Sequence, residues 1–197
     1  MDNKAVVFSG GPAGFSAEVE GISGQDVKRC YQCGKCTAGC PLAFTMDLTP
    51  NQVMRMVQLG MEKEVLNSQA IWLCAYCLTC TVRCPRRISV ADVMDGLRIL
   101  ARRKGYPGSG RGRRVALFNE SFLASARTLG RLYEFGTMLL YNLKSWRPLQ
   151  NADVGLRMFL RGKLRLGVRR IKKKEELSNI FKQRLMLIQR EQEGVRK

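Results

Sequence analysis

Histidine is missing from this 197-residue chain. That absence removes His-containing zinc sites, Rieske centres, His-ligated haem and every Ser–His or Cys–His nucleophile. Acidic residues are scarce: 16 Asp and Glu stand against 34 Lys and Arg, a formal charge of +18. Such an excess points to an acidic partner, a nucleic acid or an anionic membrane face. Long apolar runs are lacking too. The best patch, Met138 to Tyr141, is far shorter than a bilayer requires. The opening MDNKAVVFSGGPAG has neither the basic start nor the apolar stretch of a secretory signal. These features predict a cytoplasmic protein, in which cysteines serve as metal ligands or catalysts rather than structural disulfides.

Cysteine, by contrast, is abundant and ordered. All eight fall into two runs, CYQCGKCTAGCP from Cys30 to Pro41 and CAYCLTCTVRCP from Cys74 to Pro85. The runs align with a constant offset of 44, which also pairs Thr37 with Thr81. Each reads C-x2-C-x2-C-x3-C-P, the bacterial ferredoxin spacing for [4Fe–4S] clusters. Three thiolates at i, i+3 and i+6 on one tight loop can reach three irons of a single cubane. The fourth cysteine lies where the chain leaves that loop, better placed to close the neighbouring cluster. The proline bends the chain away and brings no competing N–H. The expected ligand sets are therefore Cys30, Cys33, Cys36 and Cys84 for one cluster, and Cys74, Cys77, Cys80 and Cys40 for the other. The competing reading is two four-cysteine zinc sites. Zinc modules bring cysteines as pairs of C-x2-C knuckles, whereas here they come as triplets plus one.

Around the runs, the pattern is helical. Thr49 is suited to cap a helix beginning at Pro50, with Val53, Met54, Met56 and Val57 as its apolar face and Gly60 as its stop. After the second run, Ser89 and Asp92 resemble a capping box before a stripe of Val90, Val93, Met94, Leu97 and Ala101. Each cysteine run is thus followed by a helix. This predicts an all-α, pseudo-symmetric helical ferredoxin domain with two [4Fe–4S] clusters and a C-terminal helical extension. The expected divisions are an N-terminal arm over 1–26, the bis-cluster domain over 27–106, a linker over 107–114 and a helical, basic extension over 115–197. In the arm, AVVF could form a short strand and SGGPAG a flexible glycine turn, since Ser9 stands where a dinucleotide-binding motif needs its first glycine. GYPGSGRGRR, Gly105 to Arg114, has linker composition. Residues 115–145 predict a long helix or two, with Gly130 and Gly136 as points of break or bend, and a last helix is predicted from Glu175 to Gln192.

Residues 157–197 hold 14 Lys or Arg and 4 Asp or Glu, a local net of +10. Two clusters with their eight thiolates leave the whole chain at roughly +14, so the excess is not neutralised internally. No aromatic interleaving accompanies the charge, and no nucleic acid is expected as partner. Lys35, Arg83, Arg86 and Arg87 flank the cysteines, and Trp72 and Tyr76 are placed to shield the clusters.

The paired runs, with NQVMRMVQLGMEKEVLNSQAIWLCAYCLTCTVRCP between and through them, resemble the C-subunit of heterodisulfide reductase. The likeness covers about residues 25–104, and FNESFLASARTLGRLYE resembles the longer bacterial relatives within that family. The resemblance implies an electron-transfer iron–sulfur protein. It would accept electrons from a flavin-containing A-subunit and deliver them to a catalytic iron–sulfur B-subunit, within a hetero-oligomeric complex. No two cysteines are adjacent, so the Cys-Cys-Gly signature of the catalytic partner is absent, and no catalytic residue is expected. Two rivals remain at this point. One is the iron–sulfur subunit of a membrane-docked dehydrogenase, with peripheral membrane contact through the basic tail. The other is a zinc-stabilised basic module for nucleic acid.

Overall fold

The computed structural model describes residues 12–146, 152–163, 179 and 183. The described residues are helices, 3-10 turns and loops, without a strand. The chain divides into two compact units, one ending at Ala116 and one beginning at Leu117.

The first unit is built around α7, Val90–Arg103, whose buried face carries Val90, Val93, Met94, Leu97, Leu100 and Ala101. Packed on it are α1 (Pro12–Ser23), α4 (Glu62–Asn67), α5 (Ala70–Leu73) and α6 (Thr79–Val82). The α3 helix, Pro50–Gln58, lies against α1, α4 and the short α2, Lys35–Ala38. The Thr49 and Gly60 boundaries stand as expected. Gln52 Oε1 accepts the Thr49 N–H at 2.8 Å, and Gly60 adopts φ +72°, a left-handed stop open to glycine without penalty. Val53, Met54 and Val57 are fully buried.

Three features depart from the sequence reading. The arm holds a helix, α1, which puts Phe15 and Val19 into the core. Its preceding AVVF segment lies outside the described residues. The Ser89–Asp92 capping box does not form. Ser89 Oγ pairs with Thr81 Oγ1 instead, and Asp92 accepts the Tyr76 hydroxyl. The glycine-rich stretch is not a free linker, because α8, Gly110–Leu129, starts inside it. A Cβ on Gly112 would meet Gln69 Cα at 2.9 Å, and one on Gly108 would meet Trp72 Nε1 at 2.7 Å. Glycine is needed there for close approach, not for flexibility.

In the second unit, α8 turns back at Gly130, φ +79°, into α9, Glu134–Lys144. The two run antiparallel. Phe118 meets Tyr141 edge-on with ring centroids 5.9 Å apart, and Lys144 pairs with Glu120 at 3.0 Å. Gly130 is thus the break, while Gly136 sits inside α9. A further helix, α10, spans Ala152–Leu160 and leaves Leu156, Phe159 and Leu160 exposed. The helix predicted from Glu175 to Gln192 lies outside the described residues apart from 179 and 183.

Candidate metal centres

The two cysteine runs repeat in backbone as well as in sequence. In the first, Gln32 and Gly34 are left-handed, at φ +65° and +76°. In the second, the residues 44 positions on, Tyr76 and Leu78, are left-handed at +54° and +62°. Each loop then enters one helical turn, α2 or α6, again 44 apart. Each turn closes the same way: Gly39 N–H donates to Lys35 O and Cys40 N–H to Thr37 O, matched by Arg83 to Thr79 and Cys84 to Thr81, at 3.0–3.2 Å. Left-handed residues in a turn are one way for a loop to aim backbone N–H groups at an anionic group. Only Gly34 takes its left-handed angle freely; the other three carry side chains there, at about 1 kcal/mol each.

The α2 and α6 turns pack against each other, and this contact sorts the cysteines. Cys30, Cys33, Cys36 and Cys84 line one cavity, together with Gln32 and Ile88. Cys40, Cys74, Cys77 and Cys80 line the other, with Met46 and Met94. Both cavities hold three cysteines of one run and the last cysteine of the other. Among the described residues, no three ligating side chains stand close enough to share a single metal ion. A tetrahedral zinc would draw its sulfurs to about 3.8 Å of one another. A cubane offers a separate iron to each thiolate and takes a wider ring.

The surroundings of the thiols divide by burial. Cys36 is buried, and burial pushes its pKa up, as it does for Cys74 and Cys80. At Cys77, which is exposed, the hydrogen bond with Thr79 Oγ1 lowers the pKa instead. In the first cavity Gln32 Nε2 donates to Cys30 Sγ and Ile88 N–H to Cys84 Sγ, each at 3.4 Å. Hydrogen bonds of this kind favour the more negative, reduced state of a cluster.

Residues 26–88 match the 4Fe-4S dicluster domain family. That match settles the cofactors as two [4Fe–4S] clusters, in agreement with the eight cysteines. The resemblance to the heterodisulfide reductase C-subunit also holds. The chain is 41% identical over 92 residues to the iron-sulfur C-subunit of the CoB–CoM heterodisulfide reductase of Methanopyrus kandleri, covering 47% of each chain. It is 32% identical over 92 residues to the C-subunit of the H2:CoB-CoM heterodisulfide, ferredoxin reductase of Methanothermobacter thermautotrophicus, covering 47% of this chain and 50% of that one. With the C-subunit of the ferredoxin:CoB-CoM heterodisulfide reductase of Methanosarcina acetivorans, identity reaches 44% over 77 residues, 39% of this chain and 31% of the relative. The chain spans about half the length of the first two relatives.

Other sequence candidates land elsewhere. Trp72 lines neither cysteine cavity; it is buried beside Gly108 and Gly112, with the Arg102 guanidinium 5.8 Å from its ring centre. Tyr76 is partly exposed and anchored to Asp92. Two polar residues near the cysteines went unnoticed in the sequence, Gln58 and Arg98. Gln58 Nε2 donates to Val27 O at 2.9 Å and to Cys30 O at 2.8 Å. Arg98 donates to Ile71 O and Cys74 O. Among the described residues, no helix is long and apolar enough to cross a membrane.

Proposed function

We propose that this chain is the electron-transfer component of a heterodisulfide-reductase-like complex, holding one cluster on Cys30, Cys33, Cys36 and Cys84 and the other on Cys74, Cys77, Cys80 and Cys40. The observation that carries the ligand sets is the lining of the two cavities, three cysteines from one run and one from the other in each. The clusters supply one-electron redox chemistry. The chain supplies the rest. Its left-handed loop residues hold the thiols at the cavity walls, and Met46, Met54, Ile88 and Met94 make those walls apolar on the core side. All eight cysteines are committed, which leaves no thiol to attack a disulfide. In this reading the substrate chemistry belongs to partners: the donor is an A-like flavoprotein, and the acceptor is a B-like cysteine-rich protein.

The second unit serves docking in this reading. Phe122, Leu123, Phe135, Met138, Leu139 and Leu143 remain exposed within it, more apolar surface than a free helical hairpin needs. The basic excess of the C-terminal segment adds electrostatic attraction to an acidic partner face. The test is anaerobic affinity purification of the full chain from its own cells with mass spectrometry. A-like and B-like subunits should copurify, in amounts that fall as salt rises. Recovery with a membrane anchor and a dehydrogenase flavoprotein instead would overturn the assignment.

A further inference from the structure

The repeat extends beyond the cysteines to the two residues that hold their loops from behind. Val27 and Cys30 are matched, 44 positions on, by Ile71 and Cys74. Gln58 donates to both carbonyls of the first pair, and Arg98 to both carbonyls of the second. Gln58 and Arg98 are 40 residues apart, the same offset as the first residues of their helices, Pro50 and Val90. One clamp is built twice, from the same position of α3 and α7, onto the backbone of each run's first cysteine. The chemistry differs: the first clamp is a neutral amide, the second a guanidinium.

We propose that Arg98 is a positioning residue whose fixed charge raises the reduction potential of the cluster at Cys74, Cys77 and Cys80, an effect the otherwise equivalent Gln58 does not exert on the other cluster. The inference rests on grouping those three cysteines at one cluster; it does not depend on which fourth cysteine joins them. A guanidinium stays charged at any working pH, so the bias is permanent. It is also sheltered, since its side chain is only 21% exposed. Reduction adds negative charge to a cluster, and a cation hydrogen-bonded to a ligand's own carbonyl favours that state.

The neighbouring charges offset the bias only in part. Asp95, one turn before Arg98, stands 3.8 Å from it and is 53% exposed, so water screens its share. The equivalent residue before Gln58 is Arg55, which donates to Gln58 Oε1 at 3.2 Å. Arg55 is exposed and the amide separates it from the loop carbonyls. Gln32 and Ile88 donate to sulfur in the first cavity and raise that cluster's potential as well. Arg98 therefore sets a selective increment at the second cluster, whatever the order of the two potentials.

The test is redox titration with EPR detection on the anaerobically purified full chain and on Arg98→Gln, Arg98→Lys and Gln58→Arg. Gln is the side chain that makes this clamp in the first half, so Arg98→Gln is the variant with the best prospect of keeping the loop. Iron and sulfide counts verify that each variant holds two clusters. Cys77→Ser marks which signal belongs to the second cluster. The expected result is that Arg98→Gln lowers that midpoint alone, shifting the sharing of a single electron about tenfold toward the first cluster. Arg98→Lys should hold the midpoint near its original value, and Gln58→Arg should raise the first. Unchanged midpoints in Arg98→Gln, or an equal shift of both, would overturn the proposal. Should Arg98→Gln lose iron, Gln58→Arg decides: a selective rise supports the charge effect, and no rise overturns it. A wild-type chain in which Cys74, Cys77 and Cys80 prove to serve different clusters would instead overturn the grouping beneath it, and the Cys→Ser spectra tell the two failures apart.

Discussion

Gly39 and Arg83 occupy the same place in the two repeats, 44 residues apart, and they face each other. A Cβ built on Gly39 would lie 2.6 Å from Arg83 Cδ. Where two like elements meet about a pseudo-twofold axis, equivalent residues compete for one space. Here the contest is resolved by giving one side no side chain and letting the other lie across it.

The first prediction comes from that contact. Gly39→Arg, which would make the repeats more alike, should destabilise the loaded protein by about 1–3 kcal/mol through overpacking. Gly39→Ala should cost less, and adding Arg83→Ala should recover most of its loss. Thermal unfolding followed by loss of visible cluster absorption measures all three. Additive losses in the double variant would contradict the contact.

Cys40→Ser should behave like Cys77→Ser rather than like Cys33→Ser, because Cys40 lines the cavity of the second run. Iron should fall from about eight toward four per chain, with the signal of the first-run cluster retained. Mössbauer or EPR spectra of the three variants provide the comparison. A Cys40→Ser spectrum matching Cys33→Ser would reverse the ligand sets.

Asp47 caps α5 from a distance in sequence: its carboxylate accepts the N–H groups of Gln69 at 2.7 Å and Ala70 at 2.9 Å. Asp47→Ala should cost about 1 kcal/mol, as loss of an N-cap does, and Asp47→Asn clearly less. Urea unfolding of the holoprotein under anaerobic conditions provides the measurement.

Lys104 joins three helices, pairing with Glu18 of α1 at 2.6 Å and Glu62 of α4 at 3.0 Å from the end of α7. Partial burial alone would lower its pKa, but the hydrogen bonds to the two glutamates carry it above the ordinary lysine value. A raised pKa means that the stabilisation is complete below the unfolded lysine value, about 10.4, and is lost as pH rises through the folded one. Lys104→Met should therefore cost about 1 kcal/mol, the modest worth of partly exposed pairs, by an amount constant between pH 7 and 9. A difference that shrank across that range would mean another group is involved.

What the sequence made legible was whatever repeats or punctuates. The cysteine spacing, the Thr49–Pro50 start, the Gly60 stop and the α7 stripe all carry strong local signals. The α1 helix was hidden because Phe15 and Val19 sit among glycines and its partners are remote. The α4 and α5 helices are too short to show a period. The glycines from Gly108 to Gly112 have the composition of a linker because flexibility and close approach call for the same residue. Ser89 and Asp92 had the composition of a capping box, but tertiary partners, Thr81 and Tyr76, took both side chains. Gln58 and Arg98 escaped notice for a subtler reason: they align at an offset of 40, while the cysteines align at 44. Four extra residues between Pro41 and α3 shift the register, and only the fold restores it.

The mixed lining of the two cavities also bears on how such a protein could have arisen. A polypeptide carrying one run alone would have three cysteines for its own cavity and a fourth pointing elsewhere. Its set of four would be complete only when two copies paired and exchanged their last cysteines. Fusing those copies end to end would turn an association that depends on concentration into a property of one chain, and would free Gly39 and Arg83, or Gln58 and Arg98, to become different from each other.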